Sequence, residues 1–131
     1  MVDVVSTLHV WNMILVLAAG IISGVWGLIL FFSKRETNRP WRISLIVTAV
    51  VGLLQALFGI VLVLLGQRPP GGSLYYLHYV YGGIVALALP VAITYATGGK
   101  NPHRDMLIFS IAALVLVAAG ARALMTALGL P

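Results

Sequence analysis

The sequence predicts an all-α integral membrane protein, an antiparallel four-helix bundle with its N- and C-termini on the non-cytoplasmic side. Three observations lead there. The chain of 131 residues is 61% hydrophobic and only 8% charged, with a mean hydropathy of +1.07, too apolar for a soluble domain of this size to cover its core. The apolar residues fall into four runs, each near the roughly 20 residues a helix needs to cross the hydrocarbon, where only helices and closed barrels satisfy every backbone polar group. The basic residues collect in alternate connections between those runs.

The first run extends from about His9 to Phe32. No lysine or arginine precedes it, whereas Lys34 and Arg35 follow directly; a cleavable signal peptide has the opposite polarity, so the run is expected to remain as a helix. The second runs from about Trp41 to Leu65, the third from about Leu74 to Tyr95 and the fourth from about Met106 to Ala127, and none of them contains aspartate or glutamate. The connections at 33–40, 66–73 and 96–105 are short and carry glycine, proline or asparagine, so neighbouring helices are antiparallel. Lys34, Arg35, Arg39 and Arg42 mark the first and Lys100 and Arg104 the third, against Arg68 alone in the second; the positive-inside rule places the first and third in the cytoplasm, giving a multi-pass cell-membrane protein. Trp11, Trp41, Tyr75 and Tyr76 lie near predicted helix ends, at headgroup level.

Helix association in lipid depends on close contact, which small residues permit. Gly20, Gly24 and Gly27 form one such face, and Gly52, Ala56, Gly59 and Gly66 a second; both are expected to point inward. Pro90 interrupts the hydrogen-bond ladder of the third helix and is expected to kink it.

The net charge of +5 resides mainly in the two orienting loops, so it indicates membrane topology and no nucleic-acid partner. With no cysteine, disulfides, thiolate catalysis, iron–sulfur clusters and covalent haem attachment are excluded. The three acids, Asp3, Glu36 and Asp105, lie at helix ends or in loops, which disfavours a free-standing acid–base enzyme. It also ranks a small transporter or channel last, because ion coupling normally uses intramembrane carboxylates.

The remaining polar groups at membrane depth are Asn12, Gln55, the tyrosines around His78, the histidines His9 and His78, and Arg122. Asn12 and Gln55 suit interhelical hydrogen bonds. His9 opens the predicted first helix and His78 lies about one turn into the third, so both imidazoles sit at similar depth in the outer half. Arg122 is sixteen residues past Met106, roughly 24 Å along the fourth helix and in the same layer. First and third helices of an up-down bundle face each other across a diagonal of roughly 11–14 Å. An iron between two imidazoles fits such a gap, and imidazole is a common haem ligand. Arg122 either pairs with a haem propionate, with Tyr79 or Tyr81 stacking on or donating to the same group, or reaches outward to headgroups or an anionic lipid. His103, beside Pro102 and Arg104, is expected to be a solvated loop residue.

The pattern of His9, of Gln55 and Gly59 within LLQALFGIVLVLLG, and of His78 within LYYLHYVYGG after a proline-containing loop resembles one four-helix half of the haem A synthase family over roughly residues 8–95. The resemblance implies that His9 and His78 are axial ligands of a haem. It departs from the family's active half at Ser6 and Val10, where a glutamate and an arginine would flank the first histidine; that implies a haem carrier rather than a synthase.

Two functional expectations follow. One is a small b-type cytochrome, transferring electrons or holding haem b for a respiratory or photosynthetic complex, with His9 and His78 on the metal and Arg122, Tyr79 and Tyr81 around the cofactor. The other is a cofactor-free accessory subunit packing, in the bilayer, against a larger membrane complex or further copies of itself.

Overall fold

A computed structural model describes residues 1–70 and 72–130. It contains four long helices, α1 (Val2–Phe32), α2 (Arg39–Leu64), α3 (Tyr76–Tyr95) and α4 (Pro102–Ala127), with a single 3₁₀ turn at Gly72–Leu74 before α3. All four are long and apolar enough to cross a membrane. The helices run up and down in turn: α1 packs on α2 and α4, α3 packs on α2 and α4, and α1 faces α3 across a diagonal. The chain therefore begins and ends at the same end of the bundle.

Helix starts and stops follow local chemistry. At the basic end, α2 and α4 are initiated alike. The Asn38 side chain accepts from the Trp41 backbone N–H at 2.8 Å and the Asn101 side chain from that of Arg104 at 3.1 Å, each with a proline in the first turn. Arg39, Arg42 and Arg104 stand in those first turns, against the helix dipole, so their placement answers to membrane orientation rather than to helix stability. At the other end, α2 stops in a Schellman turn: Gln67 N–H donates to the Leu62 carbonyl and Gly66 N–H to that of Val63, with Gly66 at φ +83°. Gly66 thus terminates α2 and belongs to no packing face. α1 ends the same way, with Lys34 at φ 56° placing a cation on the helix C-terminus.

Two sequence-based boundaries shift. α1 starts at Val2, so His9 lies two turns inside it instead of opening it. Asp3 in the first turn favours this early start, and the Thr7 hydroxyl donates back to the Asp3 carbonyl at 2.7 Å. The helix has 31 residues, about 46 Å at the α-helical rise, against a hydrocarbon thickness of about 30 Å; its ends extend past the slab. α4 begins at Pro102 and takes His103 and Asp105 into its first turn. α3 continues as helix through Pro90.

The interior is small and tightly packed. Met13, Val16, Val85, Leu89, Leu116 and Ala119 form the central cluster, and Leu30, Trp41 and Met106 a second one at the basic end. Gly20, Gly24 and Gly27 are buried on α1 as expected; a methyl group at Gly20 would stand 2.5 Å from Val117, and one at Gly27 would collide with Ser110 and Trp41. Trp41 Nε1–H donates to the Ser23 carbonyl at 2.9 Å, and the Ser23 and Thr48 hydroxyls meet at 3.1 Å. The outer surface is apolar throughout, with Ile14, Ile46, Leu57, Ile93 and Ile111 about half exposed or more. Such a continuous apolar girdle identifies lipid as the solvent.

Candidate functional site

The polar groups of the non-basic half converge on the α1–α3 diagonal. Asn12, one turn below His9, donates its side-chain N–H groups to the Gln55 side-chain oxygen and the Val51 carbonyl, both at 2.9 Å. This fixes the register of α1 against α2 and sets Gly59 beside the His9 ring, 3.5 Å from where its methyl group would lie. The Gln55 backbone carbonyl is also beside that ring. The paired amides account for Asn12 and Gln55 as interhelical hydrogen bonding, as expected.

Across the diagonal, the rings of His9 and His78 lie 6.2 Å apart between centroids, inclined at 66°. His78 occupies the first turn of α3, and its Nδ1 is 3.0 Å from both the Ala123 carbonyl and the Thr126 hydroxyl of α4. A carbonyl only accepts, and the Thr126 hydroxyl itself donates to the Ala123 carbonyl at 2.8 Å, so Nδ1 carries the proton and Nε2 presents a lone pair. His9 Nδ1 is buried with no hydrogen-bond partner among the described residues.

The other expected site residues fall in the same layer. Arg122 precedes Ala123, whose carbonyl accepts from His78, on α4; its guanidinium sits 5.5 Å over the Tyr81 ring and directs Nη1–H toward Met125 Sδ at 3.7 Å. Tyr79 packs edge-on between His78, at 6.4 Å, and Tyr75, at 5.9 Å, and is 39% exposed. Thus Tyr81 is the partner of Arg122, while Tyr79 is a neighbour of His78 on its outer side.

Sequence reasoning missed Thr126 and the Ala123 carbonyl; the only available signal was a threonine one helical turn beyond Arg122 in an otherwise apolar segment. His103, expected to be a solvated loop residue, is exposed but lies in the first turn of α4 and stacks on Phe31 with ring centres 4.2 Å apart at 17°. Asp105 fastens the adjoining loop, accepting from Thr97 N–H at 2.7 Å, from the Thr97 hydroxyl at 2.9 Å and from Gly99 N–H at 3.2 Å. Both lie at the basic end, away from the histidines.

Among the described residues no cluster of three or more histidine, cysteine, aspartate or glutamate side chains is suited to a metal ion, so a protein-only cage for zinc or iron is not formed. Two opposed imidazoles suit a metal whose other ligands arrive with it. At about 2 Å per metal–imidazole bond, two rings flanking one ion have their centres about 6 Å apart, close to the spacing of His9 and His78. No family model, curated protein or solved structure matches the chain.

Proposed function

We propose that the chain is a small membrane b-type haem protein, with His9 and His78 as axial ligands and a distant relationship to one half of the haem A synthases. The observation that carries this reading is His78: its Nδ1–H is committed to the Ala123 carbonyl, and its ring stands 6.2 Å from that of His9. Metal-binding histidines characteristically donate their second ring nitrogen to a backbone carbonyl or carboxylate, which fixes the tautomer and orients the ligating nitrogen. The buried Nδ1 of His9, with no hydrogen-bond partner among the described residues, is a second ring nitrogen in the same place.

When bound, haem b supplies reversible one-electron chemistry. The chain's own residues divide the remaining work. His9 and His78 are the residues that would hold the haem iron, one from α1 and one from α3. Thr126 and the Ala123 carbonyl orient His78, and the Asn12–Gln55 pair holds α1 in register beneath His9. Tyr81 positions Arg122, whose guanidinium suits a carboxylate such as a propionate. The apolar interior below Met13 excludes water from one side.

On this reading, with the positive-inside rule applied to the basic connections, the layer lies in the outer leaflet of the cell membrane, and the protein transfers electrons or holds haem for a respiratory or photosynthetic complex. A reduced-minus-oxidised absorption spectrum of the detergent-purified protein, with a pyridine haemochrome assay, tests the proposal. A stoichiometric b-type signal is expected. A folded protein expressed with ample haem that shows no signal overturns it in favour of the cofactor-free accessory subunit.

A further inference from the structure

Toward the opposite end, on the outer face of the bundle, α3 and α4 line a groove of about 520 Å³. Its walls are apolar, formed by Leu87 and Val91 of α3 and Ile108, Ile111 and Val115 of α4, with small alanines at the floor. It changes character only at the basic end, where Tyr95 and Arg104 complete the lining. On α3 the lining runs from Ile84 to Tyr95 and on α4 from Arg104 to Val115, eleven helical steps from first to last on each. At the α-helical rise that is about 16 Å, and one leaflet contributes about 15 Å of hydrocarbon.

The groove is thus one leaflet deep, apolar along its length and cationic at the headgroup level. Its neighbour Asp105 directs its carboxylate into the adjoining loop, accepting from Thr97 and Gly99, and acts on Arg104 through space. The Arg104 backbone N–H is capped by Asn101, while the side chain is exposed. A guanidinium binds phosphate through two parallel hydrogen bonds, and the exposed Tyr95 ring suits the interface beside it.

We infer that this groove is a specific site for an anionic phospholipid of the leaflet at the basic end, an acyl chain lying between α3 and α4 and the phosphate on Arg104. The site is independent of the haem proposal and shares no residue with it.

Native mass spectrometry of the purified full chain, offered phosphatidylglycerol and phosphatidylcholine with identical acyl chains, reads the site directly. The expected result is one retained phosphatidylglycerol per chain, preferred by about fivefold, the factor that one basic residue contributes at an anionic surface. Arg104→Gln, an exposed change, should reduce phosphatidylglycerol to the phosphatidylcholine level with helicity by circular dichroism unchanged. Val91→Trp, at a position 48% exposed, fills the groove from the lipid side without entering the core and should reduce both lipids. Equal retention of the two lipids by the native chain, wild-type selectivity in Arg104→Gln, or undiminished retention in Val91→Trp each overturns the inference, as does a second copy of the chain seated there in place of lipid.

Discussion

The Nδ1–H of His78 donates to the Ala123 carbonyl at 3.0 Å, so α4 dictates which nitrogen of an α3 side chain faces the bundle diagonal. Such an outer hydrogen bond is worth as much to a metal site as the ligand's own placement. His78→Ala is expected to abolish haem retention with membrane insertion intact, read from the haem-to-protein ratio after purification. Full retention in that variant would sink the axial pair. Thr126→Val removes one of the two acceptors at Nδ1 and should weaken haem affinity by about tenfold, the lower end of effects at such positions, measured by transfer of haem to an apoglobin acceptor.

The Asn12–Gln55 pair is fully inside the bundle, each residue 7% exposed. Asn12→Leu leaves the Gln55 oxygen without its donor and should cost about 1–2 kcal/mol in reversible unfolding by sodium dodecyl sulfate, followed by circular dichroism. Replacing both residues by leucine should restore part of that loss, since no buried polar group is then stranded. A double variant less stable than Asn12→Leu would contradict this account.

Much of this arrangement was legible in the sequence, for identifiable reasons. The spans follow from hydropathy, and the shared depth of His9, His78 and Arg122 follows from counting residues along antiparallel helices. The start of α1 was not, because Val2–Leu8 mixes apolar and polar residues, and the hydropathic run begins only afterwards. Nor was the stacking of His103 on Phe31 or the grip of Asp105 on the 97–99 loop. The stacking depends on how tightly Gly27, Trp41 and Ser110 let α1 and α4 close, and the Asp105 contacts on the local turn in which Gly98 and Gly99 take positive φ, and no spacing in the chain encodes either.

Glycines in this protein divide into two kinds, and substitution distinguishes them. A methyl group at Gly52 would stand 2.9 Å from the Val85 backbone carbonyl, an atom that cannot rotate away, so Gly52→Ala should destabilise by about 1–3 kcal/mol. At Gly83 nothing lies within 4 Å, and Gly83→Ala should be neutral or stabilising by up to about 1 kcal/mol through helix propensity alone. Equal effects in the same detergent-unfolding assay would show that α2 and α3 do not approach as described.

The absence of cysteine provides a clean background for testing orientation. Single-cysteine variants Asp3→Cys and Lys34→Cys lie near opposite ends of α1. In intact cells a membrane-impermeant maleimide should label the first and not the second, consistent with basic connections on the cytoplasmic side. The reverse pattern would move the histidine layer to the cytoplasmic leaflet.

An even number of crossings brings Leu130 back to the end of the bundle where Val2 begins. Units of this kind can be joined head to tail by a linker that never enters the bilayer, and each keeps its own inside and outside. Duplication then yields two histidine layers at the same depth in one polypeptide, whereas a three- or five-helix unit would invert its second copy. The fold is modular in the direction of the chain: the depth of each residue survives concatenation unchanged.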